Sequence, residues 1–256
     1  MEVHHHPHVG SDSHRKKNFK EYFLEFLMLF LAVTLGFFAE NIREGINERE
    51  QGKQYIQSLV EDLETDTARM SEIIRFDEAK INVLNGMYQC YDTVTNDLKA
   101  TSCMGILVKY SKVNRPFLSN DRTVTQLANA GGYRLFNKED ADSILAYERM
   151  YRSARDFETT IYQEAQNNVR NTLNELANFK VVSPLQNMSS LSGADTGRSD
   201  LNGPLLFSDD KALLNKWFNQ LQLYLRVTKA QCFLLNRLQL KAAGLINFYK
   251  NTHHLK

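Results

Sequence analysis

The hydrophobic pattern of the chain has two regimes. Phe26 to Ala39 is an unbroken apolar run of 14 residues, too short to cross a bilayer alone. Widening the window to Tyr22–Ile42 admits Glu25, Glu40 and Asn41 near its ends and gives a helix of roughly 30 Å at ~1.5 Å per residue, the thickness of a hydrocarbon core. From Ile56 onward the apolar positions recur at three- and four-residue spacing instead. Ile56, Leu59, Val60, Leu63, Met70, Ile73, Ile74, Ile81, Leu84, Met87, Tyr88 and Tyr91 make one helical stripe. Ile144, Leu145, Tyr147, Tyr151, Ala154, Phe157, Ile161, Ala165, Val169, Leu173 and Leu176 make a second. Leu213, Leu214, Trp217, Leu221, Tyr224, Leu225, Cys232, Leu235, Leu238, Leu245 and Tyr249 make a third.

These stripes predict an all-α protein in which a single N-terminal transmembrane helix continues into an antiparallel bundle of long helices. No Pro interrupts residues 8–115, so anchor and first bundle helix can form one rod. The expected divisions are a His-rich basic tail (1–18), a transmembrane helix (19–44) and a helical domain (45–256). Residues 96–120 read as a short helix or turn. Ser119 or Asn120 is the expected cap of a short helix closed by Gly131-Gly132, and Asn137 caps the second long helix. Ser208 precedes the third. The Ser-, Asn- and Gly-rich stretch 182–205 reads as a flexible surface loop. Aromatic residues on the stripes are read as core.

Charge sets the orientation. Arg15, Lys16, Lys17 and Lys20 precede the apolar run, whereas Arg43, Arg49 and Lys53 follow it among acidic residues. The positive-inside rule then places the N-terminus in the cytoplasm and, in a bacterial cell, the C-terminal domain in the periplasm. A cleaved signal peptide is disfavoured, because cutting after Ala39 would put Phe37 where a small residue is needed. The formal net charge of +1 leaves no nucleic-acid footprint.

Candidate chemistry is sparse. No GxGxxG, Walker A, HExxH, GxSxG, EF-hand or CxxC pattern occurs, and His is absent from residues 15–252. The expectation is a non-enzymatic protein without cofactor or metal. His4, His5, His6 and His8 read as a cytoplasmic tail. Glu61, Asp62, Glu64 and Asp66 read as a solvated acidic face. Cys90, Cys103 and Cys232 are an odd set; Cys90 and Cys103 can pair outside the cytoplasm, and burial of all three as small apolar thiols is equally compatible.

Within the membrane segment, Glu25 lies about one turn inside the apolar window, where an ionised carboxylate requires a partner or headgroups. Ala32 and Gly36, four residues apart, permit close approach of another helix. Glu25, Ala32 and Gly36 share one side, pointing to assembly with a partner protein or a second copy.

The opening MEVHHHPH and the following KKNFKEYFLEFLMLFLAVTLGFFAENIRE resemble a family of single-pass membrane proteins from Bacteroidota. TVTQLANAGGYRLFNKEDADSILAYE is similar to that family's second signature. The resemblance implies an inner-membrane location, and the recurrence of Glu25, Asn41 and Glu44 implies that the span does more than anchor. The expected function is a scaffold or accessory subunit whose periplasmic domain binds another envelope protein. The alternatives are a stator-like or transporter-associated subunit using Glu25, or a periplasmic sensor.

Overall fold

The computed structural model describes residues 18–183 and 204–253. The His-rich tail and most of the 182–205 loop expected from sequence lie outside the described residues. The regular structure among the described residues is helical, and the chain divides into two compact units, Met1–Gln51 and Gly52–Lys256.

The first unit is the N-terminal part of α1 (Phe19–Asn85). It contains a window of mean hydropathy 2.0 with none of its residues buried, long and apolar enough to cross a membrane. Thr34 is accommodated there by donating its hydroxyl to the Phe30 carbonyl at 2.6 Å, which satisfies it within the helix.

The second unit begins where α1 acquires a buried face. Ile56, Leu59, Val60, Leu63, Met70, Ile73, Ile74 and Leu84 are buried, as their spacing predicts. A break at Gly86 separates α1 from α2 (Met87–Asn96), so the first stripe occupies two helices rather than one. α3 (Ser102–Lys112) fills the irregular segment, and a Cys90–Cys103 disulfide ties it to α2. The pairing selects between the two readings of these cysteines, while Cys232 is free and buried.

α4 (Arg122–Asn129) stops at Gly131, whose φ of +63° is the left-handed conformation that glycine adopts without a Cβ penalty. Its N-terminal neighbour is Asp121, and neither Ser119 nor Asn120 caps it, because both are committed elsewhere. A 3-10 turn (Gly132–Leu135) then packs on α1 at Gly52, where an added Cβ would lie 3.2 Å from the Leu135 carbonyl oxygen.

α5 (Lys138–Phe157) begins as expected, with the Asn137 side chain accepting from the Asp140 amide at 2.8 Å. It runs through a π-helical segment (Glu158–Tyr162) into α6 (Gln163–Leu176). The wider π turn shifts the helical phase, so Tyr162 is fully buried while Ile161, expected on the stripe, is 49% exposed. Tyr88 likewise turns outward. After α7 (Phe179–Val182), the chain returns at Leu205 and Leu206, where Ala177 and Leu206 form an isolated antiparallel bridge. α8 (Lys211–His253) is capped by Asp210, whose carboxylate accepts from the Ala212 and Leu213 amides; Ser208 only supports Asp210.

Two hydrophobic clusters dominate the second unit. One gathers Leu84, Tyr162, Val169, Leu173, Trp217, Leu221 and Tyr224, with α2 and α3. The other gathers Ile56, Leu63, Met70, Ile144, Tyr147, Leu235, Leu238 and Tyr249. Asp77 and Lys80 on α1, Glu158, and Thr228 and Gln231 on α8 occupy the intervening stretches of the three longest chain segments, and all are buried.

Candidate functional site

The residues singled out in the membrane segment, Glu25, Ala32, Gly36, Asn41 and Glu44, all lie on α1 in the first unit and are exposed. At ~100° per residue, Glu25, Ala32 and Gly36 fall on one side of the helix, whereas Asn41 and Glu44 fall roughly 100° or more away. A Cβ at position 36 would meet nothing within 4 Å, so that face is open to an approaching helix.

The acidic cluster of α1 departs from the solvated face expected for it. Glu61 and Glu64 are exposed, but Asp62 and Asp66, one turn apart, are 2% and 1% exposed. They face residues 119–123, which lead into and begin α4. Asp62 accepts from the Asn120 side-chain amide (2.7 Å), Arg122 (3.1 Å), and both the amide and the hydroxyl of Thr123. Asp66 accepts from the Ser119 hydroxyl, the Asn120 backbone amide (2.8 Å) and the Tyr147 phenol (3.4 Å). Burial pushes the Asp66 carboxyl upward, opposed by these donors. The pair is therefore a clamp that holds residues 119–123 against α1, with its lone pairs spent on that task.

Beside the clamp is a cleft of about 290 Å³. Leu59, Leu63 and Val124 supply apolar wall, and Tyr147 and Tyr151 supply aromatic wall. The clamp residues Asp62, Asp66, Ser119 and Asn120 line it as well, and Asp121, Thr125, Glu148, Arg152 and Arg155 form its polar edge. Arg152 pairs with Glu148, and the Arg155 guanidinium lies 5.9 Å from the Tyr151 ring centroid. Phe117 packs edge-on against Tyr151 at 5.8 Å, fixing that ring from behind. The arrangement is a mixed cleft, with an apolar and aromatic wall, the clamp carboxylates beside it and two arginines at the lip.

The second cluster is internal. Lys80 is fully buried, donating to the Tyr162 phenol at 2.6 Å and the Tyr224 phenol at 3.2 Å, with Asp77 at 3.6 Å. The phenols also bond to each other at 2.8 Å, and Gln166 donates to Tyr224. The Phe76 ring lies 4.9 Å from the ammonium, with Arg115 over the same ring at 4.4 Å. Glu158 accepts from Asn114, the Phe117 amide and Gln231. Burial lowers the Lys80 ammonium to about 8 against the pull of Asp77, and raises Asp77 to about 6 against the pull of Lys80. Burial also raises Glu158 and both phenols. Asp77 Oδ1 has no hydrogen-bond partner, leaving the ammonium as its nearest cation.

Sequence reasoning missed this cluster, although a signal was present. Asp77 and Lys80 occupy the same helical phase as Ile73, Ile74 and Leu84, where ionisable residues are unexpected. The π turn that carries Glu158 and Tyr162 inward left no comparable trace. Among the described residues no group of three or more His, Cys, Asp or Glu is arranged to hold a metal. Comparison with known protein families, with curated proteins and with solved structures returned no match.

Proposed function

We propose that the chain is a non-enzymatic inner-membrane scaffold or accessory subunit: one transmembrane helix with its N-terminus in the cytoplasm, carrying an antiparallel helical bundle in the periplasm that binds another envelope protein. The observation that carries the partner-binding reading is the cleft. It joins an apolar and aromatic wall containing Tyr147 and Tyr151 to the exposed edge of Arg152 and Arg155, and Tyr and Arg are the residue types that concentrate binding energy at protein interfaces. Preorganisation by the Asp62 and Asp66 clamp lowers the entropy lost on docking. The exposed apolar stretch of α1 supports the membrane span, and the Cys90–Cys103 disulfide supports an oxidising compartment for the domain.

The test is extraction from native membranes in a mild detergent, with identification of co-purifying proteins for the wild type, Thr125→Arg and Arg155→Glu. Thr125 is exposed on α4, so the longer side chain fills the mouth of the cleft without entering the core. The expected result is a stoichiometric partner lost from both variants while helical content is unchanged. Recovery of the wild type without any partner, or equal retention by both variants, would overturn the reading.

A further inference from the structure

A second groove, of about 200 Å³, lies where α2 meets α8, on residues the cleft does not use. Met87, Tyr91 and Phe218 form its apolar base, with Tyr91 edge-on to Phe218 at 5.1 Å. Tyr88, Asn215, Asn219 and Gln222 form its sides. No ionisable carboxylate, ammonium or guanidinium lines it.

We propose that this groove binds a neutral saccharide unit. A charged ligand would meet no counter-charge there. A wholly apolar ligand would strand the Asn219 amide and the NH₂ group of Asn215, which lose water without gaining a partner. A pyranose satisfies both halves of the surface: its C–H face covers an aromatic ring, and its neighbouring hydroxyls meet planar amides that present a donor and an acceptor side by side.

The rim is arranged for this. Tyr88 is 58% exposed, yet Gln222 donates to its hydroxyl at 3.2 Å and so holds the ring at the groove edge. Tyr91 donates to Asn215 Oδ1 at 3.2 Å, which orients that amide and leaves its NH₂ group for a ligand. The Asn219 side chain has no hydrogen bond to other described residues, so both its donor and its acceptor are available. Cys90, on α2 between the two tyrosines, is tied to α3 by its disulfide, so the ring-bearing helix is fixed before a ligand arrives.

The experiment uses the full chain in lipid nanodiscs with ¹³C-methyl methionine, observing the Met87 resonance identified by Met87→Leu. The probe is an N-acetylated chito-oligosaccharide, with an uncharged peptide of similar size in a parallel titration. The expected result is a saturable shift of Met87 with the saccharide, weakened about tenfold or more by Tyr88→Ala and by Asn219→Ala, and unchanged by Thr125→Arg. Both groove positions are exposed, so these variants leave the core intact. No saturable shift, equal binding by the variants, or a response to the peptide alone would overturn the proposal. Because Thr125→Arg disables the cleft and not the groove, failure here is distinguishable from failure of the partner-binding reading.

Discussion

The buried Asp77–Lys80 pair makes a prediction whose sign changes with what is removed. Lys80→Met takes away the nearest cation from a carboxylate that is 2% exposed and has an oxygen without a hydrogen-bond partner. Breaking a buried ion pair from one side costs about 3–5 kcal/mol, because the remaining charge stays desolvated. Asp77→Leu combined with Lys80→Met removes both charges, and the phenols of Tyr162 and Tyr224 keep the hydrogen bond between them. The double variant should be neutral to stabilising at pH 7, as apolar replacement of a buried pair commonly is.

The pH dependence follows from linkage. Asp77 titrates near 6 in the folded protein against 3.8 for a solvated aspartate. Between these values the folded state holds more protons, so its contribution to stability falls as pH rises. Lys80 titrates near 8 folded against 10.5. There the unfolded state holds more protons, so stability rises with pH. At ~1.4 kcal/mol per pKa unit, each limb is on the order of 3 kcal/mol. Stability of the wild type minus that of the double variant should therefore pass through a minimum between about pH 6 and 8. Denaturant unfolding of the full chain in detergent, followed by fluorescence of the buried Trp217, measures it. Equal destabilisation by the single and double variants, or a difference that is flat or maximal near neutrality, would refute the reasoning.

Cys90→Ser with Cys103→Ser opens a link across a sequence separation of 13 residues and should cost about 3 kcal/mol, reproduced in the wild type by reductant. Asp62→Ala strands the buried Thr123 amide and hydroxyl and should cost roughly 2–4 kcal/mol, with faster hydrogen exchange at Thr123 while circular dichroism stays helical. Gly131→Ala must hold a φ of +63° and should cost about 1 kcal/mol in thermal unfolding, with no steric contribution, since a Cβ there meets nothing within 4 Å. For topology, an impermeant maleimide applied to spheroplasts should label Lys229→Cys before lysis and Ser11→Cys only after it; the reverse order would place the domain in the cytoplasm.

The helices were legible because their signal is local. Three stripes of apolar residues at helical spacing mark α1 with α2, α5 with α6, and α8, and the stripe positions are buried or half-buried apart from Tyr88, just after the break at Gly86, and Ile161. Ile161 and Tyr162 show why. The rule that read Ile161 as core assumes a constant turn, and the π segment replaces it with a wider one. Asp62 and Asp66 were misread for a different reason. Their partners, Ser119, Asn120 and Thr123, lie more than 50 positions away, and helix periodicity carries no information about what a segment folded back on the helix will bring. The α2 and α8 groove has the same character, since Tyr88 and Gln222 are 134 positions apart.

The position of the ionic cluster explains why a structure this rich in leucine and tyrosine carries it. Apolar stripes specify which face of a helix is buried more strongly than they specify its axial position, because a slide of one turn, about 5.4 Å, places similar side chains opposite one another. Lys80 removes that ambiguity. In the observed register its ammonium meets two phenols from two other segments, Tyr162 and Tyr224, with Asp77 beside it on α1 itself. Displaced by one turn, it would leave both phenols and enter a cluster of aliphatic side chains together with Asp77, which travels on the same helix, so the desolvated pair would lose the phenol hydrogen bonds and keep only each other. The layer contributes little net stability, and its energetic effect falls mainly on the alternatives to the native alignment. That division predicts the behaviour of the double variant beyond its stability: with both charges gone, the helices keep their burial and lose their reference point. Resonances of methyl groups flanking the layer, Met70 and Met87, should broaden or double relative to the wild type while unfolding stability is preserved. A double variant with single, sharp resonances at both methyls would show that side-chain packing alone sets the register.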